Sequence, residues 1–252
     1  MRLDKALASS GYGTRTEVKA LISKGLVSVA GTVVKDPGYK INDDQLDLIT
    51  VAGESAQIKE NIYLVFNKPD GVLTAMEDKR LPYVGQFISS NLKNRKISPV
   101  GRLDFHTTGL LILTNDGELS HRLTSPNYGI SKVYEVTYEG APLTNTQSEE
   151  AAKGITLTDM DKPVKLHPAV LEVKEDNRAL LTLTEGKTHE VRRIFAHWER
   201  PVITLKRVSL GTLTLEEDSQ EGSLRELTSS EVEGLKRLTG LITEQTQEGG
   251  KQ

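Results

Sequence analysis

The sequence predicts an α+β protein. A small N-terminal unit of two helices and a hairpin, residues 1–58, is expected to precede a larger domain with a mixed, mainly antiparallel sheet, residues 62–238. Three observations predict this architecture. Two short amphipathic segments open the chain and two short apolar runs follow them. A polar stretch, 50–61, then reads as a linker. Beyond it, strand-like runs outnumber helical ones and lack the regular alternation of a doubly wound parallel fold.

Glycines and one capping signal mark the ends of the helices predicted in the N-terminal unit. Leucine and alanine side chains in 3–8 form one apolar face, which ends at Gly11. Thr14 has Glu17 three residues later, the spacing of a capping box, and the helix it begins is expected to end at Gly25. Two apolar runs around residues 30–31 then predict a hairpin.

The larger domain shows a series of short apolar runs separated by turn residues. Strands are predicted at 62–66, 110–113, 132–138, 169–173, 179–184, 202–205 and 213–215. Helices are predicted at 84–92, 117–124, 147–153 and 189–197. The polar, glycine-containing tail, 239–252, is expected to be disordered.

Composition excludes several classes of protein. The 252 residues include no cysteine, which excludes disulfide scaffolds, thiol catalysis and cysteine-ligated metals. No apolar run approaches the ~20 residues of a membrane helix, and no signal peptide opens the chain, so we expect a cytoplasmic protein without a membrane partner. Walker, dinucleotide-binding and zinc-helix motifs are missing, so no metal and no cofactor are expected.

Charge is distributed unevenly along the chain. The net charge is −3, but the first 40 residues hold 7 basic and 3 acidic side chains, whereas residues from 216 onward hold 4 basic and 9 acidic ones. A basic N-terminal unit favours contact with nucleic-acid phosphates. Charge alone favours the simpler interpretation, an ordinary solvated surface.

One segment contains residues of types that can act in a catalytic site. Residues 98–123 read SPVGRLDFHTTGLLILTNDGELSHRL. Asp104 precedes a turn of small residues and an apolar strand, after which a hairpin-type turn is expected at 114–117. A carboxylate held rigidly in the loop before the strand can act as a nucleophile or base. Without further knowledge, Asp104 is more simply a turn cap that pairs with Arg102.

The N-terminal unit resembles the S4 RNA-binding domain. The matching stretch is MRLDKALASSGYGTRTEVKALISKGLVSVAGTVV, in the order helix, loop, helix, hairpin. The resemblance implies binding of structured RNA, with contacts expected from Arg2, Arg15 and Lys19.

The rest of the chain resembles the pseudouridine synthases, in particular the RsuA family. The resemblance rests on GRLD at 101–104 with three further segments in matching order, namely YLVFNKPDGVLTAMED, SKVYEVTYEG and LTLTEGKTHEVRRIFAHWERPVITLKRVSLG. It implies a catalytic aspartate at Asp104, an active-site tyrosine at Tyr134 and a basic partner for the aspartate at Arg192. Arg193 is the alternative partner, and otherwise an RNA contact.

The resemblance also implies the reaction. A uridine loses its bond from C1′ to N1, the base turns, and C5 is joined to C1′; nothing is added, so no cofactor is needed. The aspartate either adds at C1′ or removes the 2′ proton, and the sequence leaves both open. Arg102 is expected to fill the space of the displaced base or to hold a phosphate, and Lys68 is a weaker phosphate contact.

The expected partner is ribosomal RNA, namely 16S RNA in partly assembled small subunits, with a uridine of the position-516 type as substrate and a monomeric enzyme. The short acidic tail favours this over the large-subunit, 23S, alternative. A non-catalytic S4-type assembly factor is a second alternative. A carboxylate-based glycosidase is more remote, because no motif supplies a second acid.

Overall fold

A computed structural model describes residues 1–58, 61–93, 95–159 and 162–242. The N-terminal unit contains α1 (Leu3–Ser9), α2 (Arg15–Ser23), β1 (Val27–Val29), β2 (Thr32–Val33), β3 (Ile49–Val51) and β4 (Glu54–Ser55), with a 3₁₀ helix at Asp43–Leu48. Thr14 and Glu17 form the predicted capping box at the start of α2. Apolar side chains of both helices and of the small sheet, ordered β2-β1-β3-β4, bury one another in a core of their own.

The prediction of a linker at 50–61 is wrong for the first half of that stretch. Residues 49–55 form the β3–β4 hairpin, because Ala52 and Gly53 both adopt positive φ, 53° and 86°, and reverse the chain in two residues. This turn extends the N-terminal sheet to Ser55.

The larger domain is formed by the remaining elements. Its strands are β5 (Tyr63–Lys68), β6 (Ser98–Pro99), β7 (Thr108–Thr114), β8 (Lys132–Tyr138), β9 (Thr156–Leu157), β10 (Val164–Lys165), β11 (Val170–Val173), β12 (Arg178–Leu183), β13 (Val202–Leu210), β14 (Leu213–Thr214) and β15 (Leu224–Glu226). Its helices are α3 (Ser90–Lys93), α4 (Gly117–Thr124), α5 (Asn145–Lys153), α6 (Glu190–His197) and α7 (Ser229–Leu238), with 3₁₀ helices at Val84–Phe87 and Pro126–Tyr128.

The central sheet has the order β11-β12-β8-β13-β7-β5-β15, with β6 and β14 paired beside it. All its described pairs are antiparallel except β7 with β13, which is parallel. Together with the α-α-β unit, this confirms the predicted α+β class and the mainly antiparallel sheet. The β7–β13 pair lies in the middle of the sheet, so it joins two antiparallel halves.

Two predicted elements differ in form. The helix expected at 84–92 is interrupted, because Ile88 takes an extended conformation and buries its side chain between the 3₁₀ turn and α3. The turn expected at 114–117 connects a strand to a helix, since the Asp116 carboxylate accepts a hydrogen bond from the Leu119 amide and caps α4.

The expected disordered tail, 239–252, lies outside the described residues from 243 onward. Its described beginning ends α7, where the buried Thr239 donates a hydrogen bond from its hydroxyl to the Leu235 carbonyl. In the described ranges, every helix is too short or too polar to span a bilayer.

Candidate active site

Asp104 lies in a loop that the backbone and two neighbouring side chains hold in place. The loop connects β6 to β7, and the Thr107 amide donates a 3.1 Å hydrogen bond to the Asp104 carbonyl. On its other side, the Thr74 hydroxyl donates to the Leu103 carbonyl at 2.6 Å and accepts from the Leu103 amide at 3.1 Å. The buried Leu103 side chain anchors the loop in the core below. The Asp104 side chain itself is 40% exposed.

Lys68 holds the same loop from inside the protein. Its side chain is fully buried, and its ammonium group donates to the carbonyls of Pro69, Phe105 and Thr107 at 3.1, 3.2 and 2.8 Å. Burial lowers the pKa of Lys68 to about 8, against the opposing effect of Asp70 and Asp104. The prediction that Lys68 contacts a phosphate is therefore wrong, because a lysine enclosed by three carbonyls does not reach the surface.

Gly109 permits the close approach of strands that brings the loop beside β13. Its φ is +98°, and a Cβ atom there would lie 2.3 Å from the Arg207 carbonyl oxygen. Only glycine fits this position. The buried Arg207 side chain in turn donates a 2.8 Å hydrogen bond from Nε to the Leu110 carbonyl.

Two adjoining cavities meet at Asp104. The first has a volume of about 480 Å³, and Tyr134 and Arg102 line it; the second, of about 920 Å³, extends past Arg192. Asp104 and His189 line both. Volumes of this order are typical of small-ligand sites and suffice for a nucleotide. Within the described ranges, no three histidine or carboxylate side chains are grouped in a way that would hold a metal ion.

His189 is the basic side chain nearest to the Asp104 carboxylate in the described part of the chain. Its Nε2 lies 3.7 Å from Oδ1 of Asp104. The residue has a left-handed backbone, φ 51°, immediately before α6, a conformation that is uncommon for a residue with a side chain. Sequence reasoning missed this contact, although His189 belongs to the same HEVRR segment that suggested Arg192.

The two arginines of that segment have different partners from those predicted. Arg192 donates to the His106 carbonyl at 2.8 Å, two residues after Asp104. Arg193 forms two 2.7 Å hydrogen bonds with the Asp159 carboxylate. Among the described residues, neither arginine has a hydrogen bond or ion pair with Asp104. Because Arg193 is paired with Asp159, the alternative prediction that Arg193 is the partner of Asp104 is wrong. The same pair engages the guanidinium group that was expected to contact RNA.

The expected RNA contacts of the N-terminal unit lie on its first two helices. Arg15 and Lys19 are exposed and one helical turn apart on α2. Arg2 precedes α1 and pairs with the Asp4 carboxylate at 2.9 Å, which lowers the pKa of that carboxyl. Only Arg15 and Lys19 of these three have no ion pair in the described structure.

A basic α-α-β unit that precedes a sheet domain, with an anchored aspartate at a cavity large enough for a nucleotide, is typical of an RNA-modifying enzyme. Two family models agree with this class. Residues 1–46 match the S4 domain, and residues 62–197 match the RNA pseudouridylate synthase family. The chain belongs to the RNA pseudouridylate synthase family, and is a pseudouridine synthase with an S4 domain.

Individual relatives match over nearly the whole chain. A protein of Bacillus subtilis strain 168 named as an uncharacterized RNA pseudouridine synthase is 39% identical, over 92% of this chain and 97% of its own. The ribosomal small subunit pseudouridine synthase A of Haemophilus influenzae is 38% identical, over 93% and 99%. A crystal structure of a pseudouridylate synthase superposes with a TM-score of 0.64 at 36% identity, covering 93% and 99% of the two chains.

Proposed function

We propose that this enzyme isomerises one uridine of 16S ribosomal RNA to pseudouridine, at a site of the position-516 type, with Asp104 as the group that acts on the ribose. The observation that carries the proposal is the placement of the Asp104 carboxylate at the junction of the two cavities, on a loop fixed by Thr74 and Lys68. A rigid carboxylate at a partly covered site is suited to addition at C1′ or removal of the 2′ proton.

The remaining chemistry is assigned to side chains around the first cavity. Tyr134 lies on β8 and lines the cavity together with Asp104. We assign its ring the role of stacking on the uracil, and its hydroxyl that of assisting loss of the C5 proton. The reaction balances within the substrate: the bond from N1 to C1′ breaks, the bond from C5 to C1′ forms, the C5 proton is released and N1 gains a proton.

Arg102 and Arg192 are assigned to the RNA around the target nucleotide. Arg102 is exposed and lines the first cavity, which suits it to occupy the space left by a displaced base or to bind the adjacent phosphate. Arg192 lines the second cavity and holds the His106 carbonyl. We therefore assign Arg192 two roles. It positions the loop of Asp104 before substrate binds, and it is the cationic partner of the Asp104 carboxylate once RNA fills the cavity.

The S4 unit, residues 1–58, is assigned target binding, and residues 62–238 are assigned chemistry. Each has its own buried core, and Arg15 and Lys19 place two cations on an exposed helix of the first. The choice of 16S RNA follows the relatives named as small-subunit enzymes, which share over a third of their residues with this chain. We propose a monomer that acts in the cytoplasm, where ribosomal subunits are assembled.

The deciding experiment supplies purified enzyme with 16S RNA, 23S RNA and partly assembled small subunits, and maps pseudouridine in each. The expected result is pseudouridine at one position of 16S RNA. The same position is expected to lack pseudouridine in RNA from cells without the gene. Modification of 23S RNA alone would establish the large-subunit alternative. Tight binding of small subunits with no pseudouridine in any RNA would favour the assembly factor.

A further inference from the structure

A turn with a buried glutamate at each end forms one wall of the first cavity. Glu185 follows β12 and Glu190 begins α6, and the two residues are 5% and 4% exposed. The turn between them, residues 186–189, lines the cavity and ends at His189, which faces Asp104. Carboxylates are almost never this deeply buried without partners, so the contacts of the two glutamates explain how the turn is held.

Lys187 connects the two glutamates. Its backbone amide donates a 2.7 Å hydrogen bond to Oε2 of Glu190, and its ammonium group forms an ion pair with Oε2 of Glu185. Glu185 also accepts from the His167 amide at 2.5 Å. All polar atoms of the Glu185 carboxylate therefore have donors.

Glu190 has one oxygen without a donor. Its Oε1 is buried and has no hydrogen-bond partner among the described residues. The Glu185 carboxylate is close enough to Glu190 to raise the pKa of Glu190. Two ionised carboxylates repel each other and can only accept hydrogen bonds, so their proximity is favourable only when one of them carries a proton.

The charged groups around the pair indicate which glutamate is protonated. Glu185 has Lys187 at contact distance; burial raises its pKa, but the bonds from Lys187 and the His167 amide bring it below the ordinary value. Burial raises the pKa of Glu190 to about 7, the proximity of Glu185 adds to this, and the Lys187 amide opposes it. The other cations that face Glu190 are more distant, Lys132 on β8 and Arg193 on α6.

We propose that a proton on the buried Oε1 of Glu190 holds the turn 186–189 beside Asp104, so that Glu190 is a positioning residue for the reaction. When this proton is lost, two buried carboxylates face each other and the turn that carries His189 is displaced. The link to catalysis rests on the function proposed above for Asp104. The proton itself does not, and it is measurable in the full-length protein without any RNA.

The test compares Glu190→Gln, Glu190→Ala and Glu185→Gln in the full-length protein. Glutamine reproduces the shape and the donor of a protonated glutamate at every pH. We expect Glu190→Gln to stay within about threefold of the wild-type kcat at pH 6.5, and Glu190→Ala to lose at least about tenfold. Glu185→Gln removes the ion pair of Lys187 and is expected to resemble Glu190→Ala. From pH 6.5 to 8.5, the ratio of kcat for Glu190→Gln to that of the wild type is expected to rise about fivefold or more.

The melting temperature gives a readout that is independent of activity. The folded pKa of Glu190 lies above its unfolded value of 4.5, so its proton stabilises the fold fully below pH 4.5, and this contribution is lost as the pH rises through about 7. Between pH 5 and 8, the melting temperature of the wild type is therefore expected to fall more than that of Glu190→Gln. Parallel melting curves of the two proteins across this range would overturn the proposal, whether or not the enzyme modifies RNA. So would loss of activity in Glu190→Gln equal to that in Glu190→Ala.

Discussion

The ammonium group of Lys68 lies 2.8 Å from the carbonyl oxygen of Thr107, three residues after Asp104. The same group bonds the Phe105 carbonyl, so the backbone on the C-terminal side of Asp104 is tied twice to one buried cation. The position of the carboxylate consequently depends on a fully buried residue at the end of β5, outside the loop that contains Asp104.

Replacement of this lysine tests that dependence. Lys68→Met keeps the aliphatic length but removes the ammonium group that bonds three carbonyls, of which that of Phe105 still accepts from the Gly71 amide. We expect a loss of about 2–4 kcal/mol in the free energy of unfolding. Denaturant titration measures it. Lys79→Met, at an exposed lysine, is the control and is expected to change stability by less than about 0.5 kcal/mol. Equal stability of the two variants would contradict the structural role of Lys68.

Asp104→Asn preserves size and polarity but removes the nucleophile or base. We expect kcat to fall by more than about 10³-fold while the Kd for RNA stays within about twofold. Single-turnover conversion and filter binding measure the two quantities. Asp70→Asn is the matched control, because that carboxylate is also exposed and lies beside a histidine, His106 at 3.0 Å, on the rim of the second cavity. A similar loss of rate in both variants would exclude a special role for Asp104.

The adjacent arginines of α6 provide a second matched pair. Arg192→Gln removes the bond to the His106 carbonyl and is expected to lower kcat about 10–100-fold, because small displacements of a catalytic group are costly. Arg193→Gln breaks the pair with Asp159 but leaves the bond of Arg192 to the loop intact, so kcat is expected to stay within about threefold. The reverse order of effects would assign the catalytic cation to Arg193.

The S4 unit is tested through the salt dependence of binding. Arg15→Ala with Lys19→Ala removes two cations from an exposed helix, and the slope of log K against log salt for ribosomal RNA is expected to become shallower by about 1.5. The rate at saturating RNA is expected to stay unchanged. Lys153→Ala, at an exposed lysine on α5, is the control and is expected to leave the slope as it is. An unchanged slope in the double variant would place the RNA elsewhere.

Local sequence rules predicted elements whose stabilising groups are close in the chain. The capping box of Thr14 and Glu17 and the strand at Lys132–Tyr138 are confirmed as predicted, because neighbouring residues or simple alternation determine them. The helix Gly117–Thr124 is likewise confirmed. Long-range partners were not predictable. An Asn-Lys-Pro turn suggests an exposed lysine, and only the fold shows that carbonyls 37 and 39 residues away enclose Lys68.

In the candidate site, too, local motifs were predictable and long-range contacts were not. The motif around Asp104 predicted the loop, but the direction of each arginine on α6 depends on which acceptors the tertiary structure offers, His106 for one and Asp159 for the other. The burial of Glu190 was equally invisible, since a glutamate at the start of a helix is usually solvated there.

The contact of Gly109 with Arg207 has a consequence for the order in which a new chain matures. The hydrogen bond from Arg207 to the Leu110 carbonyl joins residues 97 positions apart. Because domains fold from the N-terminus as they are synthesised, and distant contacts form late, the S4 unit is complete while β13 has yet to be translated. A nascent chain therefore completes the unit to which we assign RNA binding well before the domain to which we assign the chemistry.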